Sequence, residues 1–171
     1  QPINVTADFK TEFTDLRFNP NNWRELYSLS AGALRRLDTS QKTTTGVLAD
    51  SVINYTPAED RLAYVQQSAQ GQNDLWSLDR GGKKQRIASN LPTRASYYLD
   101  YATYINSPQI VVSAPDAGKV IRVNDAFGDH PQATTFAASA TTVDFNADGR
   151  FVMLSDGQHL TTYDLERQRL Y

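Results

Sequence analysis

The chain has 171 residues, 40% apolar and 11% aromatic, and a formal net charge of −2 from 17 basic and 19 acidic side chains. That length supports one sizeable core, while the charge balance lacks the basic excess that nucleic-acid binding needs. With no cysteine there is no disulfide, thiolate chemistry or Cys-based metal site, and no apolar run approaches the ~18 residues that cross a bilayer as a helix.

In chain order, residues 1–13 read as the remnant of a preceding unit or as a closing strand, with Pro2-Ile3-Asn4-Val5-Thr6 as that strand and Gln1 as a cut end. Residues 14–50 then open on Leu16-Arg17-Phe18, whose apolar, polar, aromatic alternation marks a strand. The turn Asn19-Pro20-Asn21-Asn22 follows, then predicted strands at 25–29, 34–38 and 43–48. Residues 51–92 repeat the order with Ile53-Asn54-Tyr55, a turn at 57–60, and strands at 61–65, 75–79 and 84–88. Residues 93–139 do so with Leu99-Asp100-Tyr101, a turn at 106–108, and strands at 109–113, 120–124 and 133–137. Residues 140–171 close the series with Val143-Asp144-Phe145, a turn at 146–149, and strands at 151–155, 160–164 and 168–171.

The third strand of each unit ends in Asp38, Asp79, Asn124 or Asp164, spaced 41, 45 and 40 residues apart. That period is the length of one propeller blade. The expected fold is therefore all-β: a β-propeller of four four-stranded antiparallel blades, as part of a larger ring or as a small closed one. Phe18, Tyr55, Tyr101 and Phe145 should superpose and pack between blades. Open terminal faces would expose apolar surface, so the isolated chain should self-associate, with two copies making a ring of about eight blades.

The stretch Val143-Asp144-Phe145-Asn146-Ala147-Asp148-Gly149-Arg150 resembles the Val-x-Phe-Ser-Pro-Asp-Gly signature of WD-like and TolB-like propeller repeats. The Trp-Asp pair of true WD repeats is replaced by Leu37-Asp38, Leu78-Asp79, Val123-Asn124 and Tyr163-Asp164, and no Gly-His pair opens a unit, so the divergent TolB-like branch fits better. The resemblance implies the fold and leaves the activity open, since propellers host scaffolds, binders and enzymes. The reading that accords with it is a non-catalytic interaction module without cofactors, belonging to a larger extracytoplasmic bacterial protein. Its partner is another protein or the rest of its own propeller, with no nucleic acid and no membrane insertion. The alternative is a glycosidase- or lactonase-like propeller enzyme acting at the channel mouth, which should place two or more acidic groups, or a metal, about a channel.

Candidate sites follow from the repeat. Asp144, Asn146, Asp148 and Gly149 match the start of a calcium loop, but Ser155 stands where a bidentate Glu is required, so a hairpin turn and no metal is expected. Ser113-Ala114-Pro115-Asp116-Ala117-Gly118 reads likewise as a turn. The two histidines, His130 and His159, lie in turns of different units and form no triad. Arg35, Arg36, Lys42, Lys83, Lys84, Arg86, Arg167 and Arg169 cluster around the hairpins between third and fourth strands, as charges that deter edge pairing do. Arg17, Asn54, Asp100 and Asp144 share one register of the first strands and should form an inner polar belt, with Arg17 or water satisfying the carboxylates. Partner contact is expected from the longer loops of the opposite rim, through Arg94 above all, with Tyr97, Asn90, Asp50, Gln70, Asn73, Asp116 and His159.

Overall fold

Each sequence unit folds into one antiparallel sheet whose four strands follow chain order. The computed structural model describes residues 13–171, so the strand expected at Pro2-Ile3-Asn4-Val5-Thr6 lies outside them. Blade 1 holds β1 (Leu16–Asn19), β2 (Asn22–Ser30), β3 (Ala33–Asp38) and β4 (Thr43–Thr44). Blade 2 holds β5 (Val52–Ala58), β6 (Arg61–Gln67), β7 (Asn73–Asp79) and β8 (Lys84–Leu91). Blade 3 holds β9 (Tyr98–Tyr104), β10 (Ser107–Ala114), β11 (Lys119–Asn124) and β12 (Gln132–Ala137). Blade 4 holds β13 (Thr142–Phe145), β14 (Phe151–Ser155), β15 (Leu160–Asp164) and β16 (Arg169–Leu170). A 3-10 turn, Pro115–Ala117, joins β10 to β11 and ends on Gly118 in the left-handed conformation.

The fourth strands are the least regular. The strand expected at 43–48 stops at Thr44, and the chain re-pairs through a bridge between Leu34 and Ala49. That detour packs Leu48 against the apolar layer of blade 1. Three of the four repeat-closing residues have a common task. Asp38 Oδ1 accepts the N–H groups of Ser40 and Gln41 at 2.8 and 3.0 Å, Asp79 accepts that of Lys83 at 2.8 Å, and Asp164 accepts those of Glu166 and Arg167 at 2.9 and 3.2 Å. A short acceptor here satisfies the N–H groups of the hairpin turn, which explains why the repeat ends on Asp. Asn124 differs: its amide oxygen accepts the Gln109 Nε2–H at 2.5 Å.

Strand alternation sends successive residues to opposite neighbours. Leu62 and Tyr64 join the layer shared with blade 1, while Ala63 and Val65 join the layer shared with blade 3. Ile110 and Val112 face blade 2, and Val111 joins Val152 and Leu154 between blades 3 and 4. Inner strand β1 packs on β5, β5 on β9 and β9 on β13. Among the described residues no apolar layer joins blade 4 to blade 1, and no helix is long and apolar enough to cross a membrane.

Candidate functional site

Three of the four homologous polar residues of the inner strands reach forward to the next blade. From blade 1, Arg17 donates to Asn54 Oδ1 at 2.8 Å and to the Tyr55 carbonyl, with its guanidinium 4.5 Å from the Tyr55 ring centre. From blade 2, Asn54 Nδ2 donates to the Tyr97 carbonyl at 2.5 Å. Between blades 3 and 4, Asp100 Oδ2 accepts the Phe145 N–H at 2.7 Å. Asp144, at the same register of blade 4, is exposed and its carboxylate makes no hydrogen bond or ion pair among the described residues.

Arg17 does not pair with Asp100. It forms its ion pair with Asp15 at 3.1 Å, leaving Asp100 without a cation in ion-pair range among the described residues. Burial pushes the Asp100 carboxyl above the usual aspartate range. The N–H groups of Phe145 and Tyr101 oppose that shift, Asp144 adds to it, and the more distant Arg17 charge lowers it slightly. The folded chain therefore takes up a proton at Asp100 before the unfolded chain does, so ionised Asp100 costs stability at neutral pH. That cost fades as pH falls through the folded-state value. Asp100→Asn keeps an oxygen for the Phe145 N–H and is expected to raise Tm at pH 7, with the difference closing toward pH 3. A Tm series across that range checks it, and a lower Tm for the variant at pH 7 contradicts it.

Around this carboxylate the inner ends of all four blades line an open cleft of about 510 Å³. Phe18, Pro57, Glu59, Tyr101 and Phe145 line it with Asp100, and none of its lining residues is basic. The four homologous aromatics thus split. Tyr55 is fully buried, its hydroxyl 2.6 Å from the Asp15 carbonyl and 3.0 Å from that of Tyr27. Tyr101 and Phe145 are half-buried, and Phe18 is 56% exposed, contrary to the expected packing between blades. The cause is position. Each of these rings packs back on the preceding blade, and blade 1 has no such neighbour among the described residues. Leu26 and Leu37, on the same side of blade 1, are buried, so the opening is confined to the axial end at Leu16 and Phe18.

The opposite rim holds the residues expected to meet a partner. Arg94 is exposed with φ +56°, and Gln70 is exposed in a turn. Asp50 accepts from Gln66, Asp116 accepts the Ser96 N–H at 2.7 Å, and the Asn90 N–H donates to Asp74 at 2.9 Å. His159 is exposed and sits 3.1 Å from the Asp156 carboxylate. Tyr97 and Asn73 are different: only 2% and 1% exposed, they clamp the 92–97 loop from inside. Asn73 Nδ2 donates to the Tyr97 hydroxyl at 2.9 Å, and that hydroxyl donates to the Pro92 carbonyl. Neither therefore offers side-chain surface to a partner, although both were grouped with Arg94 by sequence.

At 144–155, Asn146 Oδ1 accepts the Phe151 N–H at 2.8 Å and Asp148 Oδ1 the Arg150 N–H at 2.9 Å, so these oxygens build a hairpin turn. Sequence reasoning missed Glu59. The available signal was that the turns between first and second strands all converge on the axis. It also missed Glu25, a buried carboxylate that receives the Tyr27 hydroxyl at 2.5 Å, the Asn19 amide at 2.7 Å and Arg80 at 2.6 Å.

No family model matches the chain, and no curated protein matches it. Solved structures do share its fold. Hydrazine synthase of Kuenenia stuttgartiensis superposes with a TM-score of 0.58 at 12% identity, over 88% of this chain and 52% of that one. TolB from Acinetobacter baumannii gives 0.57 at 14% identity, over 93% and 42%. The dihydro-heme d1 dehydrogenase NirN in complex with DHE gives 0.56 at 16% identity, over 93% and 36%. The chain is an all-β propeller array, and it spans about half or less of the proteins it resembles.

Proposed function

We propose that the chain is a non-catalytic binding module within a larger extracytoplasmic propeller assembly, whose partner is another protein or further blades, a second copy included. The observation that carries this reading is the outward face of blade 4. Met153 occupies the register of Val65 and Val111, both fully buried, yet it is 40% exposed, beside Leu160 at 68% and Tyr171 at 57%. Asp144 lies on the same face, directly opposite Met153 and without the forward contact its counterparts make. An apolar sheet face of this kind marks an interaction surface. The extracytoplasmic placement rests on the resemblance of the repeat to TolB-like propellers.

Light scattering across a dilution series tests the reading. The expected result is a mass above the monomer that falls on dilution, with Met153→Lys plus Leu160→Lys abolishing the association. A monomer mass at every concentration, with no binding of an apolar dye, overturns it.

One observation favours the enzyme alternative: Glu59 and Asp100 both line the axial cleft, and a glycosidase works with a pair of carboxyl groups. Against it, Asp100 Oδ2 is engaged by the Phe145 N–H, a contact that holds blade 4 to blade 3. Glycoside or lactone hydrolysis lost on Glu59→Gln would establish the alternative.

A further inference from the structure

We propose that the axial cleft binds a small organic cation, an alkylammonium or guanidinium group held by Asp100 and Glu59 among Phe18, Tyr101 and Phe145. This rests on the reading of the chain as a binding module and names the ligand class of that module. Three independent features converge on a positive ligand.

The first is charge. A carboxylate withdrawn from water is stable as an ion only when something compensates it. Asp100 has backbone N–H groups but no ion pair, and the nearest guanidinium, that of Arg17, is spent on Asp15, Asn54 and the Tyr55 carbonyl. Glu59, exposed at φ +53°, accepts the Thr103 hydroxyl at 3.1 Å and interacts with the Tyr101 hydroxyl, and neither donor is charged. With no Lys, Arg or His in the lining, the cleft carries uncompensated negative charge.

The second is the wall. Aromatic faces attract cations through their quadrupole, most strongly where water is partly excluded. Three rings from three different blades line the cleft, and Phe18 among them is more than half exposed.

The third is size. About 510 Å³ lies within the range of small-molecule sites. A metal ion fits poorly, since among the described residues no three acidic or His side chains gather.

Calorimetric titration of the whole chain tests the site with four probes: choline, its neutral carbon isostere 3,3-dimethyl-1-butanol, methylguanidinium, and acetyl-Gly-Arg-Gly-amide. Choline and methylguanidinium are expected to bind, and the isostere to bind at least tenfold more weakly. Phe18→Ala and Glu59→Gln should each weaken cation binding by roughly three- to tenfold. Asp100→Asn should remove it without lowering Tm, a combination that a purely structural carboxylate does not produce. Asp129→Asn, in an exposed turn away from the cleft, should leave it unchanged.

A tripeptide that binds more tightly than methylguanidinium identifies the natural cation as a polypeptide side chain; an equal or weaker one identifies a free cation. Either supports the site. Equal affinity for choline and its isostere overturns it, as does unchanged cation affinity in Glu59→Gln. The latter decides alone if Asp100→Asn fails to fold. Turnover of a bound ligand would refute the non-catalytic reading and keep the site. No turnover and no preference for cations would refute the site and keep the reading.

Discussion

Tyr55→Ala is expected to destabilise the fold by about 3–5 kcal/mol, whereas Phe18→Ala, at the same register one blade earlier, costs less than about 1 kcal/mol. The two rings differ in what surrounds them. Tyr55 has no exposed surface and sits between blades 1 and 2 with Tyr27, Leu34, Val52 and Tyr64. Its hydroxyl bridges to blade 1 through the Asp15 and Tyr27 carbonyls, and its face carries the Arg17 guanidinium. Removing the ring leaves a cavity between rigid sheets and strips those carbonyls of a donor, two losses that a packed interface cannot recover by collapse. Phe18 leaves mostly water-accessible space behind. Denaturant unfolding of both variants measures the pair, and equal losses would mean that Phe18 is packed in solution. Tyr55→Phe, which keeps the ring and removes only the bridge, should fall between them.

This contrast also shows what the sequence could and could not convey. Strand order and blade count were legible because hydrophobic alternation and Asx turns are local, and they recur every 40–45 residues. Among the described residues all sixteen strands appear where the alternation placed them, within a few residues, and the largest departure is the detour at 45–49 around Gly46. The candidate site was less legible. The register of Arg17, Asn54, Asp100 and Asp144 was readable, but the direction in which each side chain reaches is a property of blade packing. So is the difference between Phe18 and Tyr55, which have nearly the same local sequence and different neighbours. Arg94, Tyr97 and Asn73 carry the same lesson in reverse. The loop that carries Arg94 is held because Tyr97 and Asn73 are consumed inside it. Nothing local separates a side chain that holds a loop from one that the loop presents.

Gly149→Ala is expected to cost about 2–4 kcal/mol, from left-handed backbone strain of about 1–2 kcal/mol and an overpacking cost of similar size. Gly149 closes the turn between β13 and β14 at φ +72°, and a Cβ there would lie 2.5 Å from the Thr103 carbonyl oxygen. The obstacle is the backbone of β9 rather than the end of a flexible side chain, so relief requires blade 4 to move away from blade 3. Ala102, whose own Cβ would be 3.2 Å away, blocks a sideways escape. The consequence extends to the axis. Ala102 and Thr103 line one side of the cleft, and Phe145, Asn146 and Ala147 line the other, so a displaced turn widens the cleft and draws the Phe145 N–H from Asp100. Lost stability should therefore come with faster amide exchange at Phe145 than at Val111 or Val112 in the middle of blade 3. Thermal unfolding and native-state hydrogen exchange measure the two effects. Loss of stability with Phe145 as protected as before would confine the strain to the turn and separate it from the blade 3–4 contact.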